Sequence, residues 1–272
     1  MRPKPRLTQA ARPATITVSA INERGETVPT QIAGEHPLTV YLDKREIVTL
    51  MTLGAAPEAL VLGYLRNQKL VAGIENIAAV QVDWETDSAA VTTHAGTQDI
   101  AERMARRTVT SGCGQGTMFG DLMEDLDSIV LPQTGSLSET TLMLLLDNVR
   151  RNESIYKQAG AVHGCALASS DGNILMFVED VGRHNAVDAI AGQMWLDGIS
   201  GGDKIFYTTG RLTSEMVIKA AQMAIPILVS RSGLTAMGHS IAQKVGMTLI
   251  GRAQGQHYLL FTGLQRFSKG IA

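Results

Sequence analysis

One cysteine of this 272-residue chain lies in a glycine-spaced segment that could present a reactive thiol. Cys113 stands between Gly112 and Gly114, and Gly116 follows shortly after. Glycine tolerates positive φ angles, so the backbone here can turn sharply and leave the sulfur open. Two arginines, at 106–107, could stabilise a thiolate if the chain folds back on them, which favours a nucleophile or a sulfur carrier. The same spacing is also typical of a flexible linker that contains an incidental cysteine.

Arginine recurs in the second half of the chain wherever a predicted strand ends in glycine or serine. The four instances are Gly182-Arg183, Gly210-Arg211, Ser230-Arg231 and Gly251-Arg252. The carboxyl ends of parallel strands share one edge of a sheet, and the helix N-termini found there bind anions. Arginine adds bidentate recognition of phosphate. Each pair alone is typical of a solvated charge at a helix start, but four at one edge indicate a site for several phosphates.

The densest polar cluster of the chain, residues 179–185, falls where a predicted strand hands over to a helix. His184 lies close to two carboxylates here and could act as a general acid or base. Alternatively, Asp180 or Asn185 caps the helix and Glu179 pairs with Arg183. The sequence leaves both interpretations open.

A metal site is not predicted. His163 and Cys165 are near each other, but the chain has only two cysteines and no CxxC pair, so a closed zinc site would need several distant ligands. Cys165 lies in an apolar predicted strand. We therefore expect it to be a core residue.

Composition excludes several classes of protein. The chain is 44% hydrophobic, with a net charge of −2 and a pI near 6.3, which favours a globular protein and disfavours a general nucleic-acid binder. No apolar run reaches the ~18 residues that span a bilayer. The low cysteine content and the lack of a signal-peptide pattern at the start predict a cytoplasmic location.

The first 105 residues divide into a tail and a small α+β unit. Residues 1–13 are basic and rich in proline, which predicts a disordered tail. For residues 14–105, alternation predicts strands and a 3.6-residue period predicts one helix. The predicted strands are 15–21, a short one ending at 28, 38–42, 46–53, 78–82 and 89–94, and the helix is 57–67.

Residues 106–135 are interpreted as the cysteine loop and a linker, and residues 136–272 as an α/β domain. Ser136 and Glu139 form a capping-box pattern for a helix that we expect to end near Tyr156. Strands and helices then alternate, which predicts a largely parallel sheet with antiparallel strands at its edges. The predicted strands are 163–168, 174–178, 204–208, 226–230, 247–251 and 258–262, and the helices are 185–196, 213–223 and 235–245.

The helix over 142–149 is more apolar than one buried stripe requires. Its core positions already include Leu142 and Leu145, and Met143 and Leu144 add a second apolar face. This face is predicted to meet another copy of the chain, or else the N-terminal unit.

Several long motifs of the chain resemble the FdhD/NarQ family of formate dehydrogenase accessory sulfurtransferases. They are Ser111-Gly112-Cys113-Gly114, the stretch from Glu179 to Asp188, the stretch from Gly210 to Met216, and the stretch from Pro226 to Ser232. The similarity extends over most of the chain from about Thr15.

The resemblance implies a fold and a function. It implies a cytidine-deaminase-like mixed α/β sheet with helices on both faces, a homodimer, and transfer of sulfur from a cysteine desulfurase to the molybdenum bis-guanine-dinucleotide cofactor of formate dehydrogenase. Cys113 would carry the sulfur as a persulfide. The cofactor would be contacted by the turn that contains Arg252, Ala253, Gln254, Gly255, Gln256 and His257.

The cofactor's four phosphates would agree with the strand-end arginines Arg183, Arg211 and Arg231, and GDP would then bind as a fragment of it. The chain departs from the family in one respect, because Gly116 stands where the second cysteine of a CxxC pair is common. A persulfide needs only one sulfur atom on the carrier. A non-covalent chaperone for the molybdenum cofactor is the alternative function.

Overall fold

The computed structural model describes residues 4–96, 108–109, 116–117, 126, 129–132 and 134–270. In this part of the chain a five-stranded sheet with one helix comes first, and a six-stranded sheet with helices on both faces follows. None of the described helices is long and apolar enough to cross a membrane.

The N-terminal unit contains the predicted strands and the predicted helix. Its elements are β1 (Arg6–Leu7), β2 (Thr15–Ile21), β3 (Thr27–Ala33), β4 (His36–Leu42), β5 (Arg45–Thr52), α1 (Pro57–Asn67), β6 (Ile77–Asp83) and β7 (Ser88–Thr93). The sheet order is β1-β6-β7-β4-β5, and β2 and β3 form a separate antiparallel ribbon. Pro57 occupies the first turn of α1, where its missing N–H has no partner to lose.

Two expectations for this unit are wrong. The second strand runs to Ala33 instead of ending at residue 28, because Pro29 lies in a two-stranded ribbon where an edge position tolerates a missing N–H. The segment 1–13 is not a disordered tail over its described part. β1 pairs parallel with β6, and the Trp84 indole N–H donates to the carbonyl of Ala10 at 2.6 Å. Composition alone does not reveal that a sheet edge is available to order such a segment.

The rest of the described chain forms the second unit. Its elements are β8 (Thr108–Val109), β9 (Gly116–Thr117), β10 (Leu137–Ser138), α2 (Glu139–Asn152), α3 (Ile155–Ala159), β11 (His163–Ala168), β12 (Ile174–Asp180), α4 (Arg183–Asp197), β13 (Ile205–Thr208), α5 (Ser214–Gln222), β14 (Ile227–Ser230), α6 (Ala236–Val245), β15 (Thr248–Gln254), β16 (His257–Thr262) and β17 (Phe267–Ser268). The six-stranded sheet has the order β12-β11-β13-β14-β15-β16.

This sheet has the predicted mixture of parallel and antiparallel strands. β13, β14 and β15 are parallel, whereas β11, β12 and β16 add antiparallel pairs at the two sides. Successive side chains alternate between two cores. Phe206 and Leu228 pack under α4, α5 and α6, and Tyr207 and Val229 pack under α2. Helices on both faces are therefore confirmed, while the deaminase-like character of the fold stays a prediction.

The long helix predicted after residue 136 differs at both ends. Ser138, not Ser136, is its N-cap, and its hydroxyl accepts from the N–H of Thr141 at 3.0 Å. α2 ends at Asn152, and the short α3 follows. Glu179 on β12 accepts from the backbone N–H groups at the start of α3, so a carboxylate distant in sequence sets this break.

The two extra apolar residues of α2 have different environments. Met143 packs against the core between α2 and the six-stranded sheet. Leu144 stays 44% exposed. The predicted second apolar face is therefore narrower than the sequence indicates.

The two units meet where α1 crosses α4 at backbone contact. A Cβ added at Gly63 would lie 1.7 Å from the carbonyl oxygen of Asp188, and one added at Gly192 would lie 1.9 Å from that of Ala59. Both positions exclude any side chain. The glycine pair thus fixes the distance between the two units.

We predict that Gly63→Ala lowers the free energy of unfolding by at least about 2 kcal/mol, because the methyl group must push two backbones apart. Alanine would otherwise stabilise a helix relative to glycine by about 0.5–1 kcal/mol, so the sign of the change reports the clash. Urea unfolding measures it. Gly233→Ala is the control, since a Cβ there meets nothing within 4 Å. Equal stability of the two variants would contradict the close crossing.

Candidate functional site

The candidate site lies at one edge of the six-stranded sheet, as the strand ends predict. β12, β13, β14 and β15 all end at this edge, and β11 begins there with His163. The pKa of His163 is lowered by burial first and then by the positive charges of Arg183, Arg231 and Arg211. Three arginines distant in sequence therefore lie near enough to one imidazole for their charges to act on it.

Arg183 is buried and lies against the backbone of the next strand end. A Cβ on Gly210 would stand 2.5 Å from Cδ of Arg183, so glycine is required there to make room for the arginine. Thr209 lies beside them, with its hydroxyl 3.2 Å from Nδ1 of His163. We call this edge of the sheet the crevice. Its floor is a packed layer formed by Arg183, Thr209 and His163.

Arg211 and Arg252 are exposed at the rim of the crevice. Arg252 has a φ of 52°, and its backbone N–H donates to the carbonyl of Ser232 at 2.8 Å. No carboxylate of the described residues lies within ion-pair distance of either arginine. Because both side chains are exposed, an anion in solution can reach their charges.

Arg231 has a different environment. Its Nη1 donates to Oε1 of Glu153 at 3.0 Å, and its guanidinium lies 5.3 Å from the ring centre of Tyr156. Arg231 and Glu153 line a cavity of about 100 Å³ between α2 and the sheet, to which Tyr207 and Gln254 also contribute. The sequence does not predict that Glu153 belongs to the site, because no simple spacing relates Glu153 to the predicted strand ends.

The segment predicted to contact the cofactor is mostly strand. Arg252, Ala253 and Gln254 belong to β15, Gly255 and Gln256 form the turn, and His257 begins β16. Ala253 packs in the core beneath the sheet, whereas its neighbours in this segment from 252 to 257 are exposed. Of the exposed residues, Gln254 and Gly255 line the same cavity as Arg231.

In the polar cluster at the end of β12, the two acidic residues hold neighbouring elements of the fold in place. Glu179 caps α3, because its carboxylate accepts from the backbone N–H groups of Ile155 and Tyr156. Asp180 accepts from the Thr52 hydroxyl at 2.6 Å and from Nδ2 of Asn185 at 2.8 Å, which joins the strand end to β5. The N-cap of α4 is Gly182, which makes no side-chain cap. The predicted cap by Asp180 or Asn185 is therefore wrong.

His184 belongs to a buried polar network under the crevice. Its Nδ1 lies 3.5 Å from Oε1 of Glu215, and Glu215 lies 3.6 Å from Nζ of Lys219, which donates to Asp188 at 2.8 Å. Burial lowers the pKa of His184 well below its usual value. A neutral, enclosed imidazole is poorly placed to exchange protons with a substrate in the crevice. The Glu215–Lys219 spacing of four residues on a helix is the sequence signal for this network.

The structure describes one of the two cysteines. Cys113 lies outside the described residues, and β8 and β9, which pair antiparallel, lie on either side of it in sequence. Cys165 is fully buried, and its thiol donates to the Thr208 hydroxyl at 3.3 Å. Burial raises its pKa to about 12, so it is unreactive at neutral pH. Its prediction as a core residue is confirmed. Within the described ranges no cluster of metal-ligating side chains occurs.

We predict that His184→Gln changes the pH dependence of stability. The folded pKa of His184 lies below its usual value of 6.5, so the unfolded chain binds a proton that the folded chain does not. The free energy of unfolding is therefore undiminished by His184 above about pH 6.5 and decreases below it by up to about 1.4 kcal/mol per pH unit. Urea unfolding of both proteins between about pH 5 and 7.5 should show the wild type falling behind the variant as pH drops. Parallel profiles would show that His184 protonates freely in the folded state.

Comparisons with known proteins agree with this architecture. Residues 33–268 match the profile of the FdhD/NarQ family. A protein of Listeria monocytogenes serotype 4b named sulfur carrier protein FdhD is 32% identical over 89% of this chain and 93% of its own length, and one of the same name from Wolinella succinogenes is 28% identical over 84% and 79%. A crystal structure of a formate dehydrogenase accessory protein from Desulfotalea psychrophila superposes with a TM-score of 0.75 at 25% identity, covering 94% of this chain and all of that one. On the extent of the family match, this chain belongs to the FdhD/NarQ family.

Proposed function

We propose that this protein is a sulfur carrier for a formate dehydrogenase. Cys113 would accept sulfur from a cysteine desulfurase and pass it to the molybdenum bis-guanine-dinucleotide cofactor held at the strand-end crevice. The names of the relatives support the carrier role. The observation that supports the crevice is that β12, β13 and β14, which precede Arg183, Arg211 and Arg231, end at one edge of the sheet, where the charges of the three arginines act on His163.

The loading step is a thiol exchange. The Cys113 thiolate attacks the outer sulfur of the desulfurase persulfide, a new S–S bond forms at Cys113, and the electron pair of the broken S–S bond leaves on the desulfurase cysteine. A single thiol on the carrier is sufficient for this step. Gly116, in place of a second cysteine, therefore does not prevent it.

The crevice suits a dinucleotide with several phosphates. Arg211 and Arg252 at the rim have charges that no described carboxylate neutralises, and arginine forms paired hydrogen bonds with phosphate oxygens. Such contacts attract the cofactor without any covalent step. A non-covalent cofactor chaperone is accordingly the second candidate, since phosphate binding by arginine requires no thiol.

The family resemblance also supports proposing a homodimer in the cytoplasm. Leu144 on α2 is the exposed apolar residue that the sequence predicts for such an interface. Its exposure is compatible with a contact to a second copy.

We predict that the protein, incubated with a cysteine desulfurase and cysteine, gains one sulfur atom at Cys113 and that Cys113→Ala abolishes both this gain and formate dehydrogenase maturation. Mass spectrometry of the intact protein and an enzyme assay measure the two effects. Cys165→Ala is the matched control and should change neither, because Cys165 is enclosed in the core. Normal maturation with Cys113→Ala would leave the chaperone as the better account.

We predict that GDP binds as a fragment of the cofactor and that Arg211→Ala weakens this binding about 10- to 150-fold, the equivalent of about 1.5–3 kcal/mol for one charge-assisted contact. Affinity should fall as salt rises, since phosphate contacts dominate. Isothermal titration calorimetry measures both. Arg24→Ala, in the exposed turn between β2 and β3, removes the same charge and should leave the affinity unchanged. An unaltered affinity in Arg211→Ala would move the phosphate site elsewhere.

A further inference from the structure

Glu153 is placed where neither helix electrostatics nor solvation favours it. It is the C-cap residue of α2, next to the negative end of the helix dipole, where a carboxylate is unfavourable. Only 8% of its surface is exposed. A buried carboxylate at such a position needs a cation, and Arg231 at 3.0 Å supplies it.

The pair faces the cavity at the crevice edge. Burial raises the pKa of the Tyr207 hydroxyl. The charge of Arg231 lowers this pKa and that of Glu153 raises it, so both charges act on a group that lines the cavity with them. Gln254 and Gly255, from the segment proposed to contact the cofactor, form another part of the wall. The ion pair therefore lies within the proposed phosphate site.

The charge of Arg231 is thus neutralised by Glu153, whereas no described carboxylate lies within ion-pair distance of Arg211 or Arg252. A phosphate that approaches Arg231 meets a carboxylate that already holds Nη1 and that repels the incoming anion. The low effective dielectric around a mostly buried carboxylate strengthens both effects.

We propose that Glu153 is an internal competitor for Arg231: its carboxylate occupies the guanidinium in the empty site, and a phosphate group must displace it or share the arginine. The inference rests on the proposed function, because it assumes a phosphate-bearing ligand in the crevice. It assigns Glu153 a specificity role. An anion too weakly charged to compete gains little from Arg231, and release is assisted because the carboxylate takes the arginine back.

The test compares GDP binding to the wild type and to Glu153→Gln by isothermal titration calorimetry. Glutamine keeps the length and hydrogen-bonding capacity of the side chain but removes its charge. We expect the variant to bind GDP about three- to tenfold more tightly, as removal of one nearby like charge would give. The advantage should shrink at high salt, since screening weakens the repulsion that has been removed.

Glu23→Gln is the matched control. Glu23 is exposed in the turn between β2 and β3, where its carboxylate lies 3.8 Å from Arg24 and does not line the cavity. It changes the net charge of the protein equally and should leave the GDP affinity within about twofold. Glu153→Met provides a second charge-removing variant of similar length, in case one substitution perturbs folding, and a thermal melt checks each protein.

The outcomes separate the two proposals. If the wild type binds GDP and both Glu153 variants bind it equally or more weakly, Glu153 instead orients Arg231 and the competitor role is wrong, while the phosphate site stands. If the control tightens binding as much as Glu153→Gln, the effect is one of net charge and the competitor role is likewise wrong. If no form binds GDP, the proposed phosphate site fails and the competitor role fails with it.

Discussion

The contact between the backbones of α1 and α4 is the constraint on which the rest of the molecule depends. Gly63 and Gly192 allow the two helices to approach until main-chain atoms touch. α4 is also the helix whose first turn places Arg183 at the crevice and His184 beneath it. The N-terminal sheet therefore acts as the support that sets where the crevice floor lies.

A buried network reinforces this support. Asn67 on α1 and Lys219 on α5 both donate to the carboxylate of Asp188 on α4, at 2.7 and 2.8 Å. Removing one partner of a buried ion pair typically costs about 3–5 kcal/mol, because the remaining charge is left unpaired. Such a network is intolerant of slippage between helices. The crevice consequently has a floor of fixed geometry and a rim of exposed arginines.

The sequence predicts much of this arrangement because strand and helix periods are local properties. The strand-end rule predicts that Arg183, Arg211 and Arg231 lie at one edge of the sheet, where their charges all act on His163, since strands that run in the same direction end at the same edge. Pairings between residues distant in sequence are not accessible in this way. Glu179 accepts from the backbone of Ser154, some 25 residues before it in sequence, where α2 gives way to α3. Glu153 forms an ion pair with Arg231, which follows much later in the chain. Each is a choice among many possible partners that only the folded chain resolves.

The short strand β1 has a consequence for the handling of this protein. It covers the outer edge of β6, and it ends the sheet with two paired residues, Leu7 and the exposed Arg6, which follow Pro5 and the exposed Lys4. Brief, charged, proline-containing edges resist pairing with other molecules. A chain started at residue 14 would expose the bare hydrogen-bonding edge of β6 instead. The first dozen residues thus protect the solubility of the sheet, and their removal would favour aggregation even where the fold survives.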